Sequence, residues 1–169
     1  MERDEVLRRL NELAWEGVFG TPGADRLIRA GVDALLVGID SPSLPALAGL
    51  LRHEEPEARG LFEEMLDELG LRWEPPADPV EAKWAMAERV AAQIADGTLD
   101  PVFGARLLYW EIAEALRFPD SLGELMACGM EVVGLDTARA ESDEELCRET
   151  VAAARRFVEA RRRVRVPRP

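Results

Sequence analysis

Asp78, Pro79 and Glu81 stand in the order that starts an α-helix, an acceptor side chain at the N-cap, proline in the first turn and glutamate at the third position. Asp100 and Pro101 repeat the device three residues after Gly97. Ser121 with Glu124, and Ser142 with Glu145, have the spacing of further capping boxes. Behind each signal apolar residues recur at three- and four-residue intervals, as in Val80, Trp84, Ala87, Ala91 and Ile94. Helix starts at this density favour a helical architecture. The spacing predicts helices over 79–96 and 101–117, joined as an antiparallel hairpin, and another over 143–163. In the second of these, Ala105, Leu108, Ile112 and Leu116 form a stripe that Phe103, Leu107 and Trp110 widen, which marks a core helix. In the last, Leu146, Thr150, Ala153, Phe157 and Arg161 share the inner side, and Arg148 with Glu144 and Arg155 with Glu159 form exposed pairs.

The first half reads in the same way. Val6, Leu7, Leu10, Leu13 and Ala14 give one helical stripe, and Thr21–Pro22 is the expected start of the next helix. Phe62, Met65, Leu66 and Leu69 make a third stripe, with Pro56 in its first turn and Gly70 at its end. The stretch "LLVGIDSPSLPAL" admits two interpretations. As a helix junction, Gly38 closes one helix, Asp40 or Ser41 caps the next, and Pro42 enters its first turn. As a buried strand, "ALLVGI" would pair with "MEVVGL", the other segment of that kind, in an α/β fold. A parallel sheet requires more strands than these two. The expected fold is therefore all-α, an orthogonal or irregular bundle of about seven or eight helices, with α/β as the alternative. The shared pattern V-G-[IL]-D-[ST] in "VGIDS" and "VGLDT" reflects a helix exit solved twice. "LRWEPPADP" reads as a long turn with Trp73 packed back on the helices, so residues 1–160 are expected to form a single domain and 161–169 an Arg/Pro-rich extension.

Charge narrows the partners. The 169-residue chain has a net charge of −12, yet its last nine residues contain five arginines and no acid, which leaves −17 on residues 1–160. Such a surface repels a phosphate backbone, so nucleic acid is not expected to bind the main body. The terminal arginines fit a helix C-terminus. Two cysteines, Cys128 and Cys147, make neither a disulfide framework nor a zinc cluster. With no run of 18 apolar residues and a charged start, "MERDEVLRRL", the chain is expected to be cytoplasmic, without a membrane span.

Catalytic constellations are hard to assemble from these residues. His53 is the only histidine, and no H-E-x-x-H or paired Glu-x-x-His pattern surrounds it. "GIDSP" and "MACGME" do not match a nucleophile elbow, and "GVFGTPG" lacks the G-K-[ST] ending of a phosphate loop. No catalytic residue, cofactor or metal ligand is assigned. The candidates for contact with a ligand or partner are Tyr109, Trp110, Glu111 and Glu114, where acids and large aromatics meet on one helix. Arg106 and Arg117 on the same segment could instead pair with those acids. The composition suggests a protein–protein interaction module, such as an inhibitor or immunity-like partner of a basic protein, steered by the acids of "HEEPEARGLFEEMLDEL" and "ARAESDEEL". The alternative is a small-molecule-binding domain or an unrecognised enzyme with a pocket beside helix 101–117. Binding is favoured over catalysis, and the oligomeric state is left open.

Overall fold

The computed structural model describes residues 2–135, 139–140 and 143–165, with the side chain of Arg165 excluded. Eight α-helices are found among the described residues and no strand. The chain is therefore all-α. "ALLVGI" is the last turn of one helix followed by its C-terminal cap, and residues 130–134 of the second strand candidate lie within another helix. Two compact units divide between Glu74 and Pro75, inside the proline-rich stretch.

The first unit contains α1 (Arg3–Phe19), α2 (Ala24–Leu36), α3 (Leu44–Ala48) and α4 (Ala58–Glu68), with a 3₁₀ segment at Arg52–Glu57. Their apolar stripes meet in one core that includes Leu10, Leu13, Leu27, Leu44, Leu47, Phe62 and Met65. Two helices end in the hydrogen-bond pattern expected of a C-terminal glycine in left-handed backbone. At Gly38 (φ 73°), the Gly38 and Ile39 amides donate to Leu35 and Ala34. At Gly70 (φ 67°), the Gly70 and Leu71 amides donate to Asp67 and Leu66. Gly31, which weakens α2 on propensity alone, is required by packing: a Cβ there would lie 3.0 Å from Leu47 Cγ on α3. Trp73 returns to this unit and packs against Trp15, with ring centroids 5.7 Å apart.

Several starts in this unit differ from the sequence expectation. Helix α2 begins after Gly23, whose carbonyl accepts the Arg26 and Leu27 amides, so Thr21 is not its cap. Neither Asp40 nor Ser41 caps α3, and Pro45 rather than Pro42 occupies its first turn. Ser41 and Ser43 instead donate their hydroxyls to Glu68 of α4, a charge-assisted interaction that a local cap does not match. Pro56 falls in the 3₁₀ segment preceding α4.

The second unit contains α5 (Pro79–Asp96), α6 (Pro101–Leu107), α7 (Gly123–Gly134) and α8 (Glu144–Arg165). Helix α5 lies along α8, and α6 packs on α7. The two Asp-Pro starts form as expected. Asp78 accepts the Val80 and Glu81 amides at 2.9 and 2.8 Å, and Asp100 accepts the Phe103 amide at 2.9 Å. Gly97 closes α5 with φ 80°. Ser121 makes no cap, because a 3₁₀ turn at Asp120–Leu122 precedes α7 and Glu124 pairs with Arg156 at 2.6 Å. Ser142 lies outside the described residues, as do Asp136 and Thr137 of the repeated pattern. Asp143 accepts the Leu146 amide at 3.0 Å at the start of α8.

On α8 the inner stripe Leu146, Thr150, Ala153 and Phe157 is buried. Arg161 continues it, its guanidinium 4.8 Å from the Trp84 ring and paired with Glu88 at 2.7 Å. The expected surface pairs do not form between side chains: Arg148 donates to the Glu144 carbonyl, and Arg155 reaches the Ala95 carbonyl at the end of α5. An arginine there complements the negative end of the α5 dipole. The helix continues through residue 165, and residues 166–169 lie outside the described set. No helix among the described residues is long and apolar enough to cross a membrane.

Candidate interaction site

The site begins where the predicted helix over 101–117 changes form. Gly104 lets α6 approach α5, since a Cβ there would lie 2.6 Å from Ile94 Cδ1. The α-helix stops at Leu107, and residues Leu108–Ala113 adopt a π-helix, with one more residue in each hydrogen-bonded turn. On the other side, α7 crosses at Gly129, where a Cβ would lie 2.9 Å from Tyr109 Cβ and 3.0 Å from the Ala105 carbonyl oxygen. That close crossing fixes Tyr109 beneath α7.

The wider turn redistributes the side chains that follow. Leu108, Ile112 and Ala113 stay buried, as the helical stripe requires. Trp110 does not join them, and the expectation that it widens the buried stripe is corrected: the residue is 56% exposed. Its ring meets Tyr109 edge-on at 5.3 Å. Trp15 is buried, and Trp73 and Trp84 are half-buried, so Trp110 is the one exposed tryptophan of the four. Tyr109 and Glu111 are half-buried and Glu114 is exposed. No ion pair joins either glutamate to Arg106 or Arg117 among the described residues. The chain's only lysine, Lys83 of α5, donates to the Glu111 carbonyl at 2.7 Å, supplying a partner to a carbonyl near the helix end.

The segment ends on two consecutive non-glycine residues in left-handed backbone, Arg117 (φ 58°) and Phe118 (φ 51°). Their amides donate to Glu114 and Ala113 at 3.0 and 2.8 Å, closing the helix as a glycine would. Phe118 is 51% exposed in this position. A π segment, a doubly left-handed exit and two exposed aromatic rings thus fall within eleven residues of one chain segment. Such departures from regular geometry cost conformational energy, and in folded proteins they gather at functional sites.

The two cysteines are placed in less available settings. Cys128 is buried, and burial pushes its thiol pKa up, away from a reactive thiolate. Cys147 is half-buried. His53 is exposed, 4.0 Å from Glu54. Among the described residues no group of three or more His, Cys, Asp or Glu side chains is placed to hold a metal ion.

Sequence reasoning missed the polar cluster that ties the α2–α3 connection to α4. Glu68 accepts the Ser41 hydroxyl, the Ser43 hydroxyl at 2.6 Å and the Ser43 amide at 3.0 Å, while Glu64 accepts the Ser43 hydroxyl at 3.3 Å. The Ser41 hydrogen bond, followed by those of Ser43, lowers the Glu68 pKa. The only sequence signal for this cluster is the spacing of Glu64 and Glu68, which puts both on one side of α4. No protein-family model matches the chain, and no characterised protein or solved structure compared with it gives a significant match.

Proposed function

We propose that this chain is a protein-interaction module that recognises a basic protein through the end of the α6 segment, with Trp110 and Phe118 as apolar anchors and Glu111 and Glu114 as flanking charges. The observation that carries this reading is the exposure of Trp110, alone among four tryptophans, on a π-helical turn. An indole 56% exposed leaves in water about half of the roughly 150–250 Å² that a buried aromatic side chain covers. Tryptophan at the desolvated centre of an interface recovers that area and is enriched among residues that dominate binding. A net charge of −12 then favours encounter with a cationic partner and raises its association rate. An inhibitor or immunity-like role fits this description, and no catalytic step is assigned.

The test is capture from extract of the source cells by the immobilised full chain, compared with Trp110→Ser and with Glu111→Gln/Glu114→Gln. The expected result is a basic protein whose purified form binds at least about tenfold more weakly to Trp110→Ser. The double glutamine variant and salt near 0.5 M, about three times physiological strength, should each reduce its association rate. Binding indifferent to both variants refutes the assignment of this face. A metabolite at one-to-one occupancy with no protein partner removes the proposal in favour of small-molecule binding.

A further inference from the structure

A cleft of about 130 Å³ opens in the first unit, remote in sequence from the α6 segment. Its floor is formed by Leu13 of α1, Leu27 of α2, and Phe62 and Leu66 of α4, all buried. Trp73 forms a wall. Three charged residues line it, Arg59, Glu63 and Arg72. The volume matches a single aromatic ring, since an apolar cavity of about 150 Å³ accepts benzene. Gly17 of α1 also lines the cleft, and a Cβ at that position would meet no atom within 4 Å.

We propose that this cleft binds a small organic carboxylate, an anionic head on one aromatic ring or a short branched chain. The apolar floor receives the hydrocarbon body, whose burial drives association. The donors that Arg59 does not use towards Glu63 select the head group. Two guanidinium groups and one carboxylate stand in the lining of a chain whose overall charge is −12. Glu63 is neutralised by Arg59 Nε at 2.9 Å, and Arg72 is paired with Asp67 at 2.6 Å. Arg59 uses one of its five N–H donors in that contact and retains the fork geometry that accepts a second carboxylate. An organic cation finds no unpaired acid among these three residues, and a neutral ligand leaves the remaining Arg59 donors to water. The site lies in a different unit from Trp110 and does not depend on the partner-binding reading.

Three probes of matched shape test the assignment on the full chain: phenylacetate, 2-phenylethanol and phenethylamine. Binding is followed by saturation-transfer NMR and by tryptophan fluorescence, to which Trp73 at the wall contributes. Phenylacetate should bind saturably with a Kd near or below about 1 mM, the alcohol about tenfold more weakly and the amine more weakly still. Gly17→Leu fills the open space and should abolish phenylacetate binding while far-UV circular dichroism is unchanged. Arg59→Gln, a change at an exposed position, should narrow the acid–alcohol difference to less than about threefold and keeps the test decisive if Gly17→Leu does not fold. Trp110→Ser should have no effect. Absence of saturable binding up to about 10 mM overturns the proposal, as does an amine that binds as well as the acid. Phenylacetate binding unaltered by both cleft variants overturns it too, as does a cleft that takes up only an apolar side chain of a protein partner.

Discussion

Arg117 occupies the position that ends the α6 segment in left-handed backbone, φ 58°, where glycine is the residue without a steric penalty. A Cβ in that conformation costs roughly 1–2 kcal/mol relative to the right-handed region. Substituting glycine removes the penalty but enlarges the conformational freedom of the unfolded chain, an opposing effect of about 0.4–1 kcal/mol. The amide bonds from Arg117 to Glu114 and from Phe118 to Ala113 involve only backbone and survive the change. The arginine side chain is exposed and makes no ion pair among the described residues, so little is lost with it. Arg117→Gly should therefore stabilise the protein by about 0.5–1 kcal/mol. With a urea dependence near 2 kcal/mol per molar, the midpoint moves up by about 0.3–0.5 M. Equilibrium unfolding in urea followed by far-UV circular dichroism measures it. Arg117→Ala is the control, because it removes the charge but keeps the Cβ, and its midpoint should stay close to wild type. A lower midpoint for the glycine variant, or equal shifts for glycine and alanine, refutes the assignment of strain to the backbone at 117.

Gly129→Ala should destabilise by about 1–2 kcal/mol despite the better helix propensity of alanine, because the added methyl meets the Ala105 carbonyl and Tyr109 Cβ at 3.0 and 2.9 Å; urea unfolding reads this directly. Asp78→Ala should cost about 1 kcal/mol through loss of the two amide bonds at the start of α5, with Asp78→Asn retaining most of the stability. The Glu68 carboxyl has a folded pKa below its ordinary 4.5, so its contribution is fully present above the unfolded value and disappears as pH falls through the depressed one. Thermal midpoints measured downward from about pH 6 should fall less steeply for Glu68→Gln than for wild type, and parallel curves would exclude the Ser41–Ser43–Glu68 cluster as the source. Alkylation mapped by mass spectrometry in native buffer should reach Cys147 before Cys128, whose thiol is held protonated by burial, and the difference should vanish in denaturant.

The amino-acid sequence by itself determined two helix starts and three helix ends. Asp78–Pro79, Asp100–Pro101, Gly38, Gly70 and Gly97 act within one turn of their own position, through a cap or a left-handed exit, and need no distant partner. Periodicity likewise marked the buried faces: Leu10, Met65, Ile94 and Phe157, each a member of its own helix's apolar stripe, are buried. Tertiary structure decided what those faces meet and where the regular pattern yields. Ser41 and Ser43 had the composition of a local cap, but Glu68, 25 to 27 residues away, is a charged acceptor and took their hydroxyls. Arg161 read both as the last inner residue of its helix and as the first of the basic end, and Trp84 and Glu88, more than seventy residues earlier, hold it on the inner side. Trp110 belonged to an inner stripe while residues 101–117 were counted at helical spacing. The crossing of α7 at Gly129 accompanies a π turn there, the register changes within the segment, and the indole is left in solvent. Caps and stripes are legible because they depend on neighbours three or four residues apart, whereas the candidate interaction site and the carboxylate cleft arise from helices whose approach no local spacing encodes.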